Sequence, residues 1–339
     1  MLRTLTVLLG TLTLTIAARA QEPQLASFLR QSIGLGTADL GAVERGEAVT
    51  KVLETENPRD VAIFGIVTTG SSRANYVGRL ANLHTALNEP SRVQFGIFGS
   101  PATLADIKDL EISREDVEEL RNCRPNACSF KLPATEMQRL RNELVGSTAE
   151  QQARVAAYAR QRLVTYVNDY RSRGDSALVV YDDRGTVQSS DAFASLLAQS
   201  PYVYKFVPSL ARYFADYPRD TLAGAREIVF WAQDDAPRLR RILSVNQLVL
   251  YSPPELPAMT LVARKQIYAN HYFEGAFELT SIIDRPTAAG YTDSYLLVLR
   301  RYRFDNLPGG LLNIRGRVVG ALREKMLADL RRQGARARG

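Results

Sequence analysis

The chain has 339 residues, 45% of them apolar and 23% charged, a composition that excludes a disordered polypeptide and allows a sizeable core. Its formal charge is +7, yet 11 basic and 3 acidic residues fall within 300–339, so that stretch alone carries +8 and residues 21–299 carry −3. A near-neutral body with one basic end argues against a nucleic-acid-binding protein. The basic end suits a solvated helix face with cations at a helix C-terminus, or weak contact with an anionic membrane surface.

The first twenty residues, MLRTLTVLLGTLTLTIAARA, have the three parts of a secretory signal peptide. Arg3 is the basic start, Leu5 to Ala17 is an apolar stretch diluted by threonines, and Ala18-Arg19-Ala20 is a small-x-small cleavage pattern, with the cut expected after Ala20. The stretch falls short of the roughly 20 apolar residues that span a bilayer. The mature protein, 21–339, is therefore expected in a bacterial periplasm or secreted to the medium.

Leu25 to about Ile33 is helix-like. Residues 49–55 alternate as a half-buried strand, Glu56-Asn57-Pro58 turns, and 61-VAIFGIV-67 is a buried strand. Next, Gly70-Ser71-Ser72 offers an N-cap, and Tyr76, Leu80, Leu83 and Leu87 share one face of a predicted helix. Val93 to Phe98 forms another strand.

Residues 101–225 read as a mostly helical insertion, strongest over 149–173, where Val155, Tyr158, Leu163, Tyr166 and Tyr170 form a stripe closed by Gly174. A short strand is expected from Ala177 to Tyr181. Cys123 and Cys128 lie five apart around a Pro-Asn turn. In an oxidising compartment they are expected to pair as a disulfide that pins the turn. From 227 the period becomes two, and five strands in close order predict an antiparallel meander. Pro308-Gly309-Gly310 then opens a last helix with Leu311, Ile314, Val318, Leu322, Met326 and Leu330 facing inward.

This order defines an α+β chain. On 61-VAIFGIVTT-69 and its following helix, the meander 259–304, and 305-DNLPGGLLNIRGRVVGALREKML-327, it resembles the helix-grip fold of the START and Bet v 1-like (SRPBCC) superfamily. KQIYANHYF followed by D-x-L-x-G-G also looks like a group of secreted bacterial proteins with this layout. The resemblance covers roughly two-thirds of the mature chain and leaves the cysteine-bearing helical segment unexplained. It implies a curved antiparallel sheet wrapped on the C-terminal helix and a cavity for a lipid or other hydrophobic ligand. Some superfamily members are cyclases or hydrolases, and fold does not choose between carriage and catalysis.

Candidate ligand contacts are Trp231, Lys265, Tyr268, His271 and Tyr272. Lys265 and its neighbour Arg264 are of a type to bind a lipid phosphate or carboxylate. His271, one of two histidines, allows a general acid–base role with Lys265 or a tyrosine assisting. The alternative is a structural histidine bonded to backbone. Strict alternation puts Lys265, Ile267, Ala269, His271 and Phe273 on one face and Arg264, Gln266, Tyr268, Asn270 and Tyr272 on the other. Neither face is cleanly apolar, which implies either a bulge near Asn270-His271 or a face lining a cavity. Asp182-Asp183 and Asp234-Asp235 read as turn residues. No metal-ligand cluster, dinucleotide fingerprint, Walker loop or nucleophile elbow is present, so no cofactor is expected. Three functions follow: a carrier of a hydrophobic ligand, an enzyme of the same fold, or a structural envelope protein without a ligand.

Overall fold

Nine consecutive residues of one strand, Asp60–Thr68, are buried without alternation. A strand can do this only when both faces of its sheet are covered, and that requirement organises the whole molecule. In the computed structural model, residues 24–338 are described, apart from 81, 236–238, 288–291 and 308–312. The signal-peptide stretch, Pro308-Gly309-Gly310 and Leu311 lie outside the described residues.

Eight strands form one sheet: β1 (Val49–Leu53), β2 (Asp60–Thr68), β3 (Arg92–Phe98), β6 (Arg226–Asp234), β7 (Ile242–Tyr251), β8 (Met259–Ala269), β9 (Phe273–Pro286) and β10 (Thr292–Phe304). A two-stranded hairpin, β4 (Val180–Tyr181) and β5 (Val187–Gln188), stands apart. The order in the large sheet is β1-β2-β10-β9-β8-β7-β6-β3, and every neighbouring pair is antiparallel. The meander from β6 to β10 is thus extended at one side by β2 and β1 and at the other by β3.

One face carries the C-terminal helix α10 (Ile314–Arg338) and the shorter helices α2 (Arg73–Leu80) and α3 (Leu83–Leu87). Met326 and Leu330 of α10 pack with Val61, Ile63 and Val67 of β2 and Leu296 and Val298 of β10. The close approach depends on Gly65, where a Cβ would come within 2.5 Å of Leu330 Cδ1 and 2.8 Å of Met326 Sδ. The expected single helix bearing Tyr76 and Leu87 is broken between α2 and α3, although both side chains are buried against this face.

The opposite face is covered by the N-terminal segment, with α1 (Thr37–Glu44), and by the helices between β3 and β6: α4 (Arg114–Asn122), α5 (Ala134–Glu143), α6 (Thr148–Arg173), α7 (Ser189–Ala198), α8 (Pro201–Phe206) and α9 (Pro208–Asp216). The longest, α6, starts at a Ser147–Glu150 capping box and stops at Gly174, whose φ of 60° suits glycine. Its Val155, Leu163, Tyr166 and Tyr170 are buried, with Tyr158 half-buried beside them. The strand expected at Ala177–Tyr181 shrinks to Val180–Tyr181, because Gly174–Ala177 forms a 3-10 turn.

Register explains the ambiguous pattern of β8. Asn246 pairs with Gln266 but Val245 pairs with Tyr268, so one residue of β8 is inserted as a bulge. The bulge brings Tyr268 to the same face as Lys265, where strict alternation separates them. β8 and β9 then meet in a tight turn in which Phe273 N donates to His271 O and Tyr272 takes φ 64°.

Candidate functional site

Between the sheet and α10 lies a cleft of about 620 Å3, within the range typical of small-molecule sites. Its floor is built from cross-strand rows. Ile228, Leu248, Arg264, Glu278 and Arg300 are successive register partners across β6 to β10, and Arg226, Leu250, Val262 and Thr280 form the next row. Tyr76, Leu80, Leu83 and Leu87 from α2 and α3 form one side; Asp329, Arg332 and Gln333 of α10 form the other. Tyr76 Oη donates to Gln333 Oε1 at 2.8 Å and ties the two sides together. Burial drives the Tyr76 phenol upward in pKa, which keeps it protonated as that donor.

The polar half of the cleft is an ordered ion network. Arg264 donates to Glu278 Oε2 at 2.9 Å, and Arg300 donates to the same oxygen at 2.7 Å and to Asp329 Oδ2 at 2.9 Å. Glu89 lies 3.7 Å from Arg264 and 3.8 Å from Lys325, and Arg332 pairs with Asp329. Burial alone would raise the Glu278 carboxyl, but Arg264 and Arg300 together hold it down at about 2. At Glu89 the same contest between burial and the Arg264 and Arg92 guanidiniums also ends below the usual carboxylate value.

Five arginines face three carboxylates in this lining. Glu89, Glu278 and Asp329 are all engaged by Arg264, Arg300, Lys325 or Arg332. Arg79 and Arg226 are left exposed and make no ion pair among the described residues, Arg79 lying 5.3 Å from the Tyr76 ring centre. The cleft thus combines an apolar wall on β6, β7 and β8 with two uncommitted guanidiniums.

The residues singled out from sequence lie elsewhere, except Arg264. Trp231 is buried under the helical layer, its Nε1 donating to Asp106 O at 2.9 Å across Gly96, where any Cβ would lie 2.5 Å from that nitrogen. Lys265 is fully buried on the same face, paired with Asp175 and 4.0 Å from the centre of the Phe193 ring. Burial lowers its pKa, and Asp175 only partly offsets this. Tyr268 packs edge-on against Tyr166 at 6.1 Å with the Arg162 guanidinium 5.2 Å from its ring centre. Tyr272, in the β8–β9 turn, accepts from Arg240 N at 2.9 Å. None of the five lines the cleft.

His271 is 1% exposed. Nδ1 lies 2.8 Å from Ser129 O, Nε2 lies 3.0 Å from Asp116 Oδ1, and the ring packs edge-on against Phe130. Both nitrogens are committed to acceptors, which leaves neither open to a substrate. The bond to Ser129 fastens the β8–β9 turn to the loop carrying Cys123 and Cys128, which are joined as a disulfide. Glu119, Cys123 and Cys128 lie within 4.8 Å of one another, but the disulfide removes the thiolates that would bind a metal.

Sequence reasoning passed over Asp183 as a turn residue. It is buried and accepts from Lys131 Nζ at 3.0 Å, while Asp305 lies 3.2 Å from the same nitrogen. Sequence reasoning also passed over Arg79 and Arg226, because an isolated arginine on a helix or at a strand end usually reaches solvent.

No known protein-family profile matches the chain, and no curated protein is significantly similar to it in sequence. Among the described residues, no helix is long and apolar enough to cross a membrane.

Proposed function

We propose that this chain is a carrier that holds an amphipathic molecule with an anionic head in the cleft between the sheet and α10. The observation that carries the reading is the lining itself: an apolar wall that shares the cleft with two arginines making no ion pair among the described residues. A hydrocarbon body would displace water from Ile228, Leu248, Leu250 and Val262, a gain of roughly 25 cal/mol per Å2 of apolar surface covered. A carboxylate or phosphate at the other end would meet Arg79 and Arg226, whose planar guanidiniums suit bidentate pairing. The fixed Arg264–Glu278–Arg300 row holds the floor rigid and gives orientation without reorganising.

The helix-grip resemblance supports the same site. β2 pairs with β10 and β1 with β2, and α10 packs over β2, which is compatible with a sheet that grips its last helix. The helical layer on the far face is an addition to that pattern. We also read the chain as periplasmic or secreted, supported by its Cys123–Cys128 disulfide. The +8 of residues 300–339 would favour approach to an anionic membrane, a source of such a ligand.

The direct test is native mass spectrometry and lipid extraction of the protein purified from the cells that make it. An anionic amphiphile should accompany the wild type and be lost from Leu248→Trp, which fills the cleft floor. Protein free of bound amphiphile, or an uncharged ligand retained equally by both forms, would reject the reading.

A further inference from the structure

Away from the cleft, one lysine amine is held between two carboxylates. Lys131 Nζ lies 3.0 Å from Asp183 Oδ2 and 3.2 Å from Asp305 Oδ2. The three side chains are 1%, 3% and 9% exposed. The Tyr181 ring, its centre 5.3 Å from the nitrogen, adds an apolar wall.

A frame of backbone hydrogen bonds sets this geometry. Asp182 N donates to Leu132 O, Asn126 N to Asp182 O and Cys128 N to Asp183 O, so the segment through the disulfide lies against the β4–β5 hairpin. Lys131 N donates to Asn270 O and Asp305 N to Tyr272 O, which fixes both residues to the β8–β9 turn. The neighbouring Asp182 is already committed, its carboxylate accepting from Ala134 N and Thr186 Oγ1. Amine and acid therefore meet with little freedom left to lose, the condition that speeds a reaction between two groups of one molecule.

We propose that Lys131 and Asp183 condense into an intramolecular isopeptide bond, with Asp305 as the proton carrier. The Lys131 ammonium gives one proton to the Asp183 carboxylate, and the freed amine attacks Cγ to form the N–C bond. Asp305 takes a second proton from that nitrogen and returns it to the departing hydroxyl. The C–O bond breaks, one water leaves, the amide keeps the third proton and Asp305 ends as the carboxylate it began. Condensation replaces two buried charges by a neutral amide, so exclusion of solvent favours the product. Asp305 is the least buried of the three, which gives the released water its way out. The bond joins residues 52 apart in sequence and adds a second covalent staple beside the Cys123–Cys128 disulfide. It stands independently of the carrier reading.

The test is tandem mass spectrometry of a tryptic digest of the purified protein, reduced and alkylated beforehand. In the wild type, trypsin should fail to cut after Lys131, because the linked side chain no longer carries its charge. Residues 122–139 should then appear joined to residues 174–184, lighter than the sum of the two peptides by one water. Fragmentation should place the link between Lys131 and Asp183. The near-isosteric Asp305→Asn cannot carry the proton and should lose most of the linked species. The wild-type digest is decisive even if that variant fails to fold. Cleavage after Lys131 with 174–184 free at its sequence mass would overturn the proposal. So would a link to Asp305 in place of Asp183, or a link formed just as completely in folded Asp305→Asn.

Discussion

His271 Nε2 lies 3.0 Å from Asp116 Oδ1, and this bond joins the β8–β9 turn to the first turn of α4. With the Ser129 carbonyl 2.8 Å from the other ring nitrogen, the histidine links sheet, disulfide loop and helical layer. His271→Ala would leave the Asp116 carboxylate, itself 4% exposed, buried and unpaired. The expected loss is about 3–5 kcal/mol in urea unfolding, with ligand affinity in the cleft unchanged. A loss under about 1 kcal/mol, or a selective loss of binding, would contradict a purely structural role.

The two buried lysines should respond in opposite ways to the same substitution. Lys131→Met strands Asp183 and Asp305, whose side chains are 3% and 9% exposed, and should cost about 3–5 kcal/mol. Lys265→Met leaves only Asp175, 28% exposed and able to rehydrate, and methionine packs well against Phe193 and Tyr170. Its melting temperature should stay the same or rise. The Lys265 pKa is lowered on folding, so the unfolded chain holds the proton more tightly and wild-type stability should climb with pH in the window just below 10.5. Lys265→Met should flatten that slope, as measured by urea titrations across the window.

Glu278 gives the opposite sign at the acid end. Its carboxyl moves from 4.5 to about 2 on folding, because Arg264 and Arg300 outweigh its burial. The stabilisation is therefore complete above about pH 4.5 and disappears as pH falls towards 2, on the order of 3 kcal/mol in all. Glu278→Gln should be markedly less stable than wild type at pH 7, and the gap should close between pH 4.5 and 2. A gap independent of pH would place the stabilisation elsewhere.

Gly65 controls how near α10 can come. A Cβ there would meet Leu330 and Met326, whose side-chain ends can shift, so Gly65→Ala should cost about 1–3 kcal/mol without preventing folding. Because α10 is one side of the cleft, the same variant should weaken ligand binding there. Binding lost together with stability identifies the helix as a wall of the site; unchanged binding would separate the two.

Much of the architecture is legible in the sequence because burial imposes a period. The run Val61 to Val67, the meander strands, and the stripes on α6 and α10 each carry their own signal. The bulge that turns Tyr268 to the face of Lys265 leaves a weaker signal: the mixed faces of β8 allow a bulge near Asn270-His271, but its place between Gln266 and Tyr268 is set by pairing with β7. The cleft is harder still to foresee: Arg264, Glu278 and Arg300 are 14 and 22 residues apart and meet only through register. His271 draws attention by rarity, yet what surrounds it, Asp116 and Ser129, lies 155 and 142 residues away in sequence.

The central claim is that an anionic amphiphile occupies the cleft beneath α10. The most direct measurement is calorimetric titration of the protein with dodecanoate and with dodecanol, in wild type, Leu248→Trp and an Arg79→Ser/Arg226→Ser double variant. Dodecanoate should bind the wild type at one site and more tightly than dodecanol. Leu248→Trp should abolish the binding, and the double variant should lose the preference for the charged head, about tenfold in affinity for a pair of charge-assisted contacts. Equal binding of both molecules by wild type and double variant, or dodecanoate binding that survives Leu248→Trp, would contradict it.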